Sequence, residues 1–152
     1  MVNHIQDTST LDKATAYRIH RTARILRVHL NKTFHKLGLE ISMEQWFILF
    51  RLYERAGQSQ SDLADKDLND HPNITRMIDA LEKRTLVKRD ADPEDRRRHL
   101  ISLTEEGQAL MEKMMPVIVE VRQQVFAGIS QHDIDVMVAT LDKIEANVAS
   151  TM

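Results

Sequence analysis

Two clusters of polar side chains carry most of the chemistry available to this sequence. The first is Pro72-Asn73-Ile74-Thr75-Arg76, where proline suits a first helical turn and three hydrogen-bonding side chains follow within that turn. Asparagine can pair bidentately with adenine and arginine with guanine, while threonine can meet a phosphate or a thymine methyl. His71, just before them, can add a phosphate contact. The second cluster is Arg96-Arg97-Arg98, with Asp92, Glu94 and Asp95 alongside. Adjacent guanidiniums repel one another, and a purely structural turn gains little from them. On a protruding loop they suit a DNA minor groove, whose negative potential deepens as it narrows. Asp95 is placed to orient Arg97 through a charge-assisted hydrogen bond. An ordinary capped surface helix and a solvated charge run would contain the same residues, so spacing alone leaves both readings open.

Other chemistry is poorly supplied. There is no Gly-rich phosphate loop, no Gly-x-Ser-x-Gly and no convincing acid pair, so no catalytic residue is assigned and an enzyme is not expected. The histidines His4, His20, His29, His35, His71, His99 and His132 show neither a His-x-x-x-His pair nor a carboxylate cluster at ligand spacing, so no metal site is assigned. The absence of cysteine excludes a disulfide framework, thiolate metal sites and thiol redox sensing. No cofactor is implied.

The 152 residues sum to a formal charge of −2, which at first argues against nucleic acid. The charge is segregated, however. Residues 13–39 hold seven bases (Lys13, Arg18, Arg21, Arg24, Arg27, Lys32 and Lys36) and no acid, whereas residues 104–152 hold three bases and eight acids. Screening removes fields beyond ~8–10 Å, so local clusters rather than the total set what a surface attracts.

The elements that must position these residues read as mostly helical. Ala16, Ile19, Ala23, Leu26, Leu30, Phe34 and Leu37 form one stripe that stops at Gly38. Ser42-x-x-Gln45 is a capping-box pattern opening a helix expected to bury Trp46, Leu49, Phe50 and Tyr53. A short helix over residues 60–66 turns Leu63 and Ala64 inward, and a turn leads to a helix from Asp70–Pro72 with the stripe Ile74, Met77, Ile78 and Leu81. From Leu86 the period changes: residues 86–89 and 100–103 are strand-like, and the charged segment with Pro93 joins them as a hairpin. Thr104 then caps a long helix (Leu110, Met114, Ile118, Val121, Val125) that Pro116 should bend. Ser130 caps the last, with Ile134, Met137, Leu141, Ile144 and Val148. The fold class is therefore mainly α with a small β-hairpin wing: a winged helix-turn-helix lobe over residues 42–103, with terminal helices at 11–38 and 104–152, in one domain spanning residues 1–152. The terminal stripes exceed what the compact centre can cover, so they are expected to pair across a two-fold axis in a homodimer; packing within one chain is the alternative. No apolar run reaches the ~18–20 residues of a membrane span, and Met1–Thr10 is polar, so a cytoplasmic chain without membrane contact is expected.

The pieces Gln60-Ser61-Asp62-Leu63-Ala64, the helix from Pro72 to Glu82, Leu86-Val87-Lys88-Arg89, and the run from Asp95 through Leu103-Thr104-Glu105-Glu106-Gly107 together resemble the MarR (multiple antibiotic resistance regulator) family. Asp-x-Arg followed closely by Leu-Thr-x-x-Gly is the most specific part. The resemblance implies a homodimeric transcriptional regulator, a repressor relieved by a small ligand. Its second helix (His71, Pro72, Asn73, Thr75, Arg76) would read a pseudo-palindromic duplex through the major groove, assisted by Gln60 and Ser61 from the helix before. The wing (Asp95, Arg96, Arg97, Arg98) would reach the minor groove, with Arg89 and Asp95 bracing it. Family members often have Gly where Thr85 stands here, which implies an adjusted helix end. Sensing of oxidants through cysteine is closed to this chain.

The resemblance also implies a small anionic or aromatic effector held between terminal helices and lobe, for which Arg18, His20, Arg21, Arg24, Met43, Trp46, Phe47 and Met111 are the candidates. A Trp or Met at helical spacing is equally a core residue. Two other functions fit the sequence: a helical dimeric adaptor whose basic faces bind protein or anionic partners, and a metal-responsive regulator.

Overall fold

The computed structural model describes residues 10–66 and 70–152. His4 and the expected turn before Asp70 lie outside these, the latter over residues 67–69. The chain divides into two compact units, Met1–Met111 and Glu112–Met152.

In the first unit, a 3-10 turn at Leu11–Lys13 leads into α1 (Thr15–Lys36), followed by α2 (Met43–Glu54), β1 (Gln58–Ser59), α3 (Gln60–Lys66), α4 (His71–Lys83), β2 (Val87–Ala91), β3 (His99–Leu103) and the start of α5 (Glu105–Val125). The core of this unit is Phe34, Trp46, Ile48, Leu49, Leu52, Leu63, Ile74, Ile78, Leu81, Val87, Ile101 and Met111. Local signals make these helices start where they do. Ser42 and Gln45 form the complete capping box on α2, each side chain meeting the other's amide at 3.1 and 3.0 Å. Asp70 caps α4 by accepting from the Asn73 amide at 2.7 Å, with Pro72 in the first turn. Gly38, at φ 72°, ends α1 as the stop signal implies, and the Leu39 amide returns to the Phe34 carbonyl.

Two details depart from the sequence expectation. The buried arc of α2 is Trp46, Ile48, Leu49 and Leu52, so Tyr53 is exposed and Phe50 only half-buried. The Leu and Ile positions one step around the helix are the ones that reach the shared core. The hairpin also gains a third strand: β1 pairs antiparallel with β3, Gln58 opposite Ile101, giving the order β1-β3-β2. On the other side of β3, Val87 lies opposite Leu103 and Ala91 opposite His99. Gln58 is too polar to announce a strand, yet it is buried because its Nε2 donates to the Arg51 and Arg55 carbonyls at 2.6 and 2.7 Å and so closes the end of α2.

A tight junction joins α4, β2 and α5. Thr85 takes a left-handed conformation at φ 59°, a position where glycine is unstrained. Its carbonyl accepts from the Thr104 hydroxyl, whose oxygen in turn accepts from the Gly107 amide at 3.0 Å, capping α5. The Thr104 amide donates to the Leu86 carbonyl at 3.1 Å. A Cβ on Gly107 would stand 2.0 Å from that same carbonyl oxygen. Because Gly107 and Met111 complete this core, the first unit runs past Leu103 into the first turns of α5.

In the second unit, α5 continues through Pro116 to Val125, and Ser130 caps α6 (Gln131–Ala149) by accepting from the Asp133 amide at 3.1 Å. No residue of α6 is buried. Among the described residues, no helix is long and apolar enough to cross a membrane.

Candidate nucleic-acid interface

The helix pair is built from the bottom by short-range bonds. Ser59-x-x-Asp62 repeats the capping-box logic at the start of α3: the Ser59 hydroxyl accepts from the Asp62 amide at 3.1 Å, and the Asp62 carboxylate accepts from the Ser59 amide at 3.4 Å. The carboxyl of Asp62 is held below its ordinary range, first by hydrogen bonding with the Ser59 side chain and further by the Ser59 amide, Arg98 and Arg55, against partial desolvation. Leu63 and Ala64 are fully buried, as are Ile74, Ile78 and Leu81 on α4. That leaves Pro72, Asn73, Thr75 and Arg76 on the other side of the first two turns, the face expected of a reading helix. Ser61 is exposed on α3. Arg76 is exposed and has no ion-pair partner among the described residues.

Arg89, on β2, is only 18% exposed and spends all its nitrogens on its neighbours. Nη2 pairs with Asp79 at 2.6 Å, Nη1 with Glu82 at 2.9 Å, and Nε donates to Gln60 Oε1 at 3.2 Å. It therefore ties the wing's root to α4 and α3, a more specific role than bracing the wing. Gln60 passes its other end on, Nε2 donating to Thr75 Oγ1 at 3.0 Å, while the Thr75 hydroxyl donates to the His71 carbonyl at 2.9 Å. Asp79 and Glu82 carry no motif of their own. Their spacing of three on one helical face is the signal that could have paired them with a single guanidinium.

At the hairpin, the three arginines separate into two roles. Arg98 faces back, with Nη2 on Asp62 at 3.2 Å and Nε 3.9 Å from Asp92. Its carbonyl accepts from the Asp92 amide and its amide donates to the Asp95 carbonyl, both at 2.9 Å, so it closes the tip onto α3. Arg96 and Arg97 are exposed, and their guanidiniums have no partner among the described residues. The expected bond between the Asp95 carboxylate and the Arg97 guanidinium is not formed. Asp95 Oδ1 instead accepts from the Arg97 backbone amide at 3.0 Å, because the carboxylate folds over its own turn. Asp95 thus shapes the loop and leaves the Arg97 guanidinium exposed.

The effector candidates do not converge within the first unit. Arg18 and His20 are exposed on α1. Arg21 and Arg24 line an open groove of about 490 Å³ with Tyr17, Val28 and Lys32. Phe47 lines a second groove, of about 420 Å³, with Phe50, Arg51, Glu54 and the edge of Trp46. Trp46 itself is core, its ring 5.6 Å from Phe34 and 6.1 Å from Phe50. Met43 is half-buried with its amide on Asn31 Oδ1 at 2.8 Å, and Met111 is fully buried. Among the described residues, no three metal-ligating side chains come together.

A short helix and a capped second helix, followed by a basic hairpin on a three-stranded sheet, form a winged helix-turn-helix. Residues 41–99 match the family model described as MarR. The lobe is similar to that of MarR-family regulators. Three solved structures are similar to this chain over most of its length. A probable transcriptional regulator from Pseudomonas aeruginosa is 26% identical, with a TM-score of 0.79 over 89% of this chain and 99% of its own. A MarR/EmrR family transcriptional regulator from Acinetobacter sp. ADP1 is 23% identical, with a TM-score of 0.84 over 93% and 99%. MepR of S. aureus, solved in complex with DNA, is 24% identical, with a TM-score of 0.78 over 88% and 98%. The MarR fold thus accounts for nearly the whole chain.

Proposed function

We propose that this chain acts as a homodimeric, sequence-specific DNA-binding regulator, a repressor that leaves a pseudo-palindromic duplex when a small anionic or aromatic effector binds. The observation that carries the reading is the division of labour among the arginines. Arg89 and Arg98 are engaged by carboxylates of the same chain, while Arg76, Arg96 and Arg97 are exposed on the helix and wing with no ion-pair partner among the described residues. Unpaired guanidiniums gain most from phosphate and from base edges. That MepR of S. aureus, whose structure is similar to this chain, was solved in complex with DNA supports the same use here.

Support for the dimer comes from apolar surface that a soluble chain covers. On α1, Ile25 is 51% and Val28 45% exposed; on α6, Val136 and Val138 are each 50% and Val148 53% exposed. A second copy is the occupant proposed for these helices, consistent with the terminal helices expected to dimerise. Two copies would set two α4 helices about one DNA turn apart, ~34–36 Å. An effector favouring a different spacing would then empty the DNA-competent population.

Selection of bound duplexes from a random pool tests the reading. The expected product is a palindrome with half-sites one turn apart. Arg97→Ala should then weaken binding and lower the salt slope by about 1.8 per dimer, ~0.9 for each lost phosphate contact. Equal affinity for selected and random duplex in the wild type, unchanged by Arg97→Ala or Asn73→Ala, would falsify it. For the effector, titration of benzoate and larger aromatic carboxylates should lower affinity for the selected duplex. Constant affinity across that panel removes ligand release from the proposal.

A further inference from the structure

We propose that Gln60 and Thr75 are positioning residues that hold the first turn of α4 for reading, and do not themselves contact DNA; this rests on the DNA-binding reading above. Three hydrogen bonds run head to tail from β2 through α3 into α4. Arg89 Nε donates to Gln60 Oε1, Gln60 Nε2 donates to Thr75 Oγ1, and the Thr75 hydroxyl donates to the His71 carbonyl.

The direction of each bond follows from what each group can do. A guanidinium only donates, so Gln60 must turn its oxygen to Arg89 and thereby its nitrogen toward Thr75. A hydroxyl that accepts from Gln60 keeps one proton, and that proton goes to the carbonyl of His71. The Thr75 hydroxyl then has no proton left for a phosphate. Its remaining capacity is to accept, and phosphate oxygens are acceptors as well. While the relay stands, Thr75 is unsuited to the phosphate contact its position suggests.

The relay ends on the carbonyl of His71, beside Pro72 and two positions before Asn73, and Thr75 sits next to Arg76. It therefore sets the height and rotation of the turn that presents Asn73 and Arg76, and it does so from the strand that forms the root of the wing. Chained hydrogen bonds of this kind reinforce one another, and removal of any member loosens the rest. Displacement of a reading group by even a fraction of an ångström costs bidentate base recognition more than it costs phosphate attraction.

The test uses the full-length protein, with anisotropy titrations against the selected duplex and against random duplex at several salt concentrations. Gln60→Ala and Thr75→Val should each weaken the selected duplex about ten-fold, and the double variant should be no weaker than either single. Thr75→Ser, which keeps the hydroxyl, should bind as the wild type does. Affinity for random duplex and the salt slope should not move. Retained affinity in Thr75→Val with loss in Thr75→Ser would show direct reading through the methyl and overturn the proposal. Additive losses in the double variant, or a shallower salt slope, would overturn it in favour of separate DNA contacts. Should Gln60→Ala melt well below the wild type, Gln60→Met keeps the stem and removes the polar end, with the same outcomes deciding. A wild type that does not prefer the selected duplex fails the DNA reading itself; a wild type that prefers it, with singles that bind normally, fails the positioning role alone.

Discussion

Gly107→Ala should be among the most damaging single methyl additions this chain can receive. The new Cβ would stand 2.0 Å from the Leu86 carbonyl oxygen and 3.0 Å from its carbon. The obstacle is main chain, and that oxygen already accepts the Thr104 amide, so it cannot swing aside without breaking the junction of β2 and α5. Overpacking of this kind is expected to cost about 3 kcal/mol, which for a chain of this size lowers Tm by roughly 6–12 °C. Gly128→Ala is the matched control, since nothing lies within 4 Å of its Cβ and only its φ of +77° resists a side chain. It should cost about 1 kcal/mol. Melts followed by far-UV circular dichroism check both, and a Gly107→Ala protein that melts with the wild type would show that the junction yields.

Arg89→Ala should produce the largest functional loss. The substitution removes three hydrogen bonds at once, and in the same step it releases the carboxylates of Asp79 and Glu82 on α4. On the proposed DNA reading, each protomer would then bring two uncompensated negative charges to the phosphate backbone while its reading helix lost its anchor. Arg89 is largely buried while Asp79 and Glu82 are about half exposed, so the loss comes from the freed anchor and from charge repulsion at the phosphates, and affinity for the selected duplex should fall about 100-fold, ~2.7 kcal/mol. Global stability should fall by less, about 1–3 kcal/mol, because Asp79 and Glu82 can hydrate. Adding Asp79→Asn and Glu82→Gln to Arg89→Ala separates the two causes. Affinity for random duplex should recover, as charge is removed, while preference for the selected one stays lost. Anisotropy titrations with both duplexes measure this, and full recovery of preference would mean that repulsion was the whole effect.

Much of the architecture was legible in the residues because its signals are local. Ser42 and Gln45, Asp70 and Pro72, and Gly38 mark helix ends by groups that bond within four residues, and such bonds form in nearly any context. What escaped was decided across longer separations. Gln58 is polar and became a buried strand residue because the end of α2 offers it two carbonyls. Tyr53 fell outside the core because the arc of α2 is chosen by its neighbours, not by its own period. Among the site residues, the arginine triplet pointed to the wing, but only the fold could divide it. Arg98 is 36 positions from Asp62 in sequence and 3.2 Å from it in space. Likewise Gly107 stands out in the sequence as the end of Leu-Thr-x-x-Gly, but the reason no side chain fits there shows only when the Leu86 carbonyl is seen against it.

The inward turn of Arg98 has a consequence for selectivity. With its side chain fastened to α3 and its backbone closing the tip, the hairpin holds the roots of Arg96 and Arg97 at a fixed height above the lobe. On the proposed DNA reading, such a tip works as a calliper. It gauges how wide the minor groove is at one place, and a stretch whose groove is stiffly narrow fits while a wide one does not. Base pairs flanking each half-site, beyond reach of any side chain on α4, would then contribute to the choice of duplex through their stiffness alone.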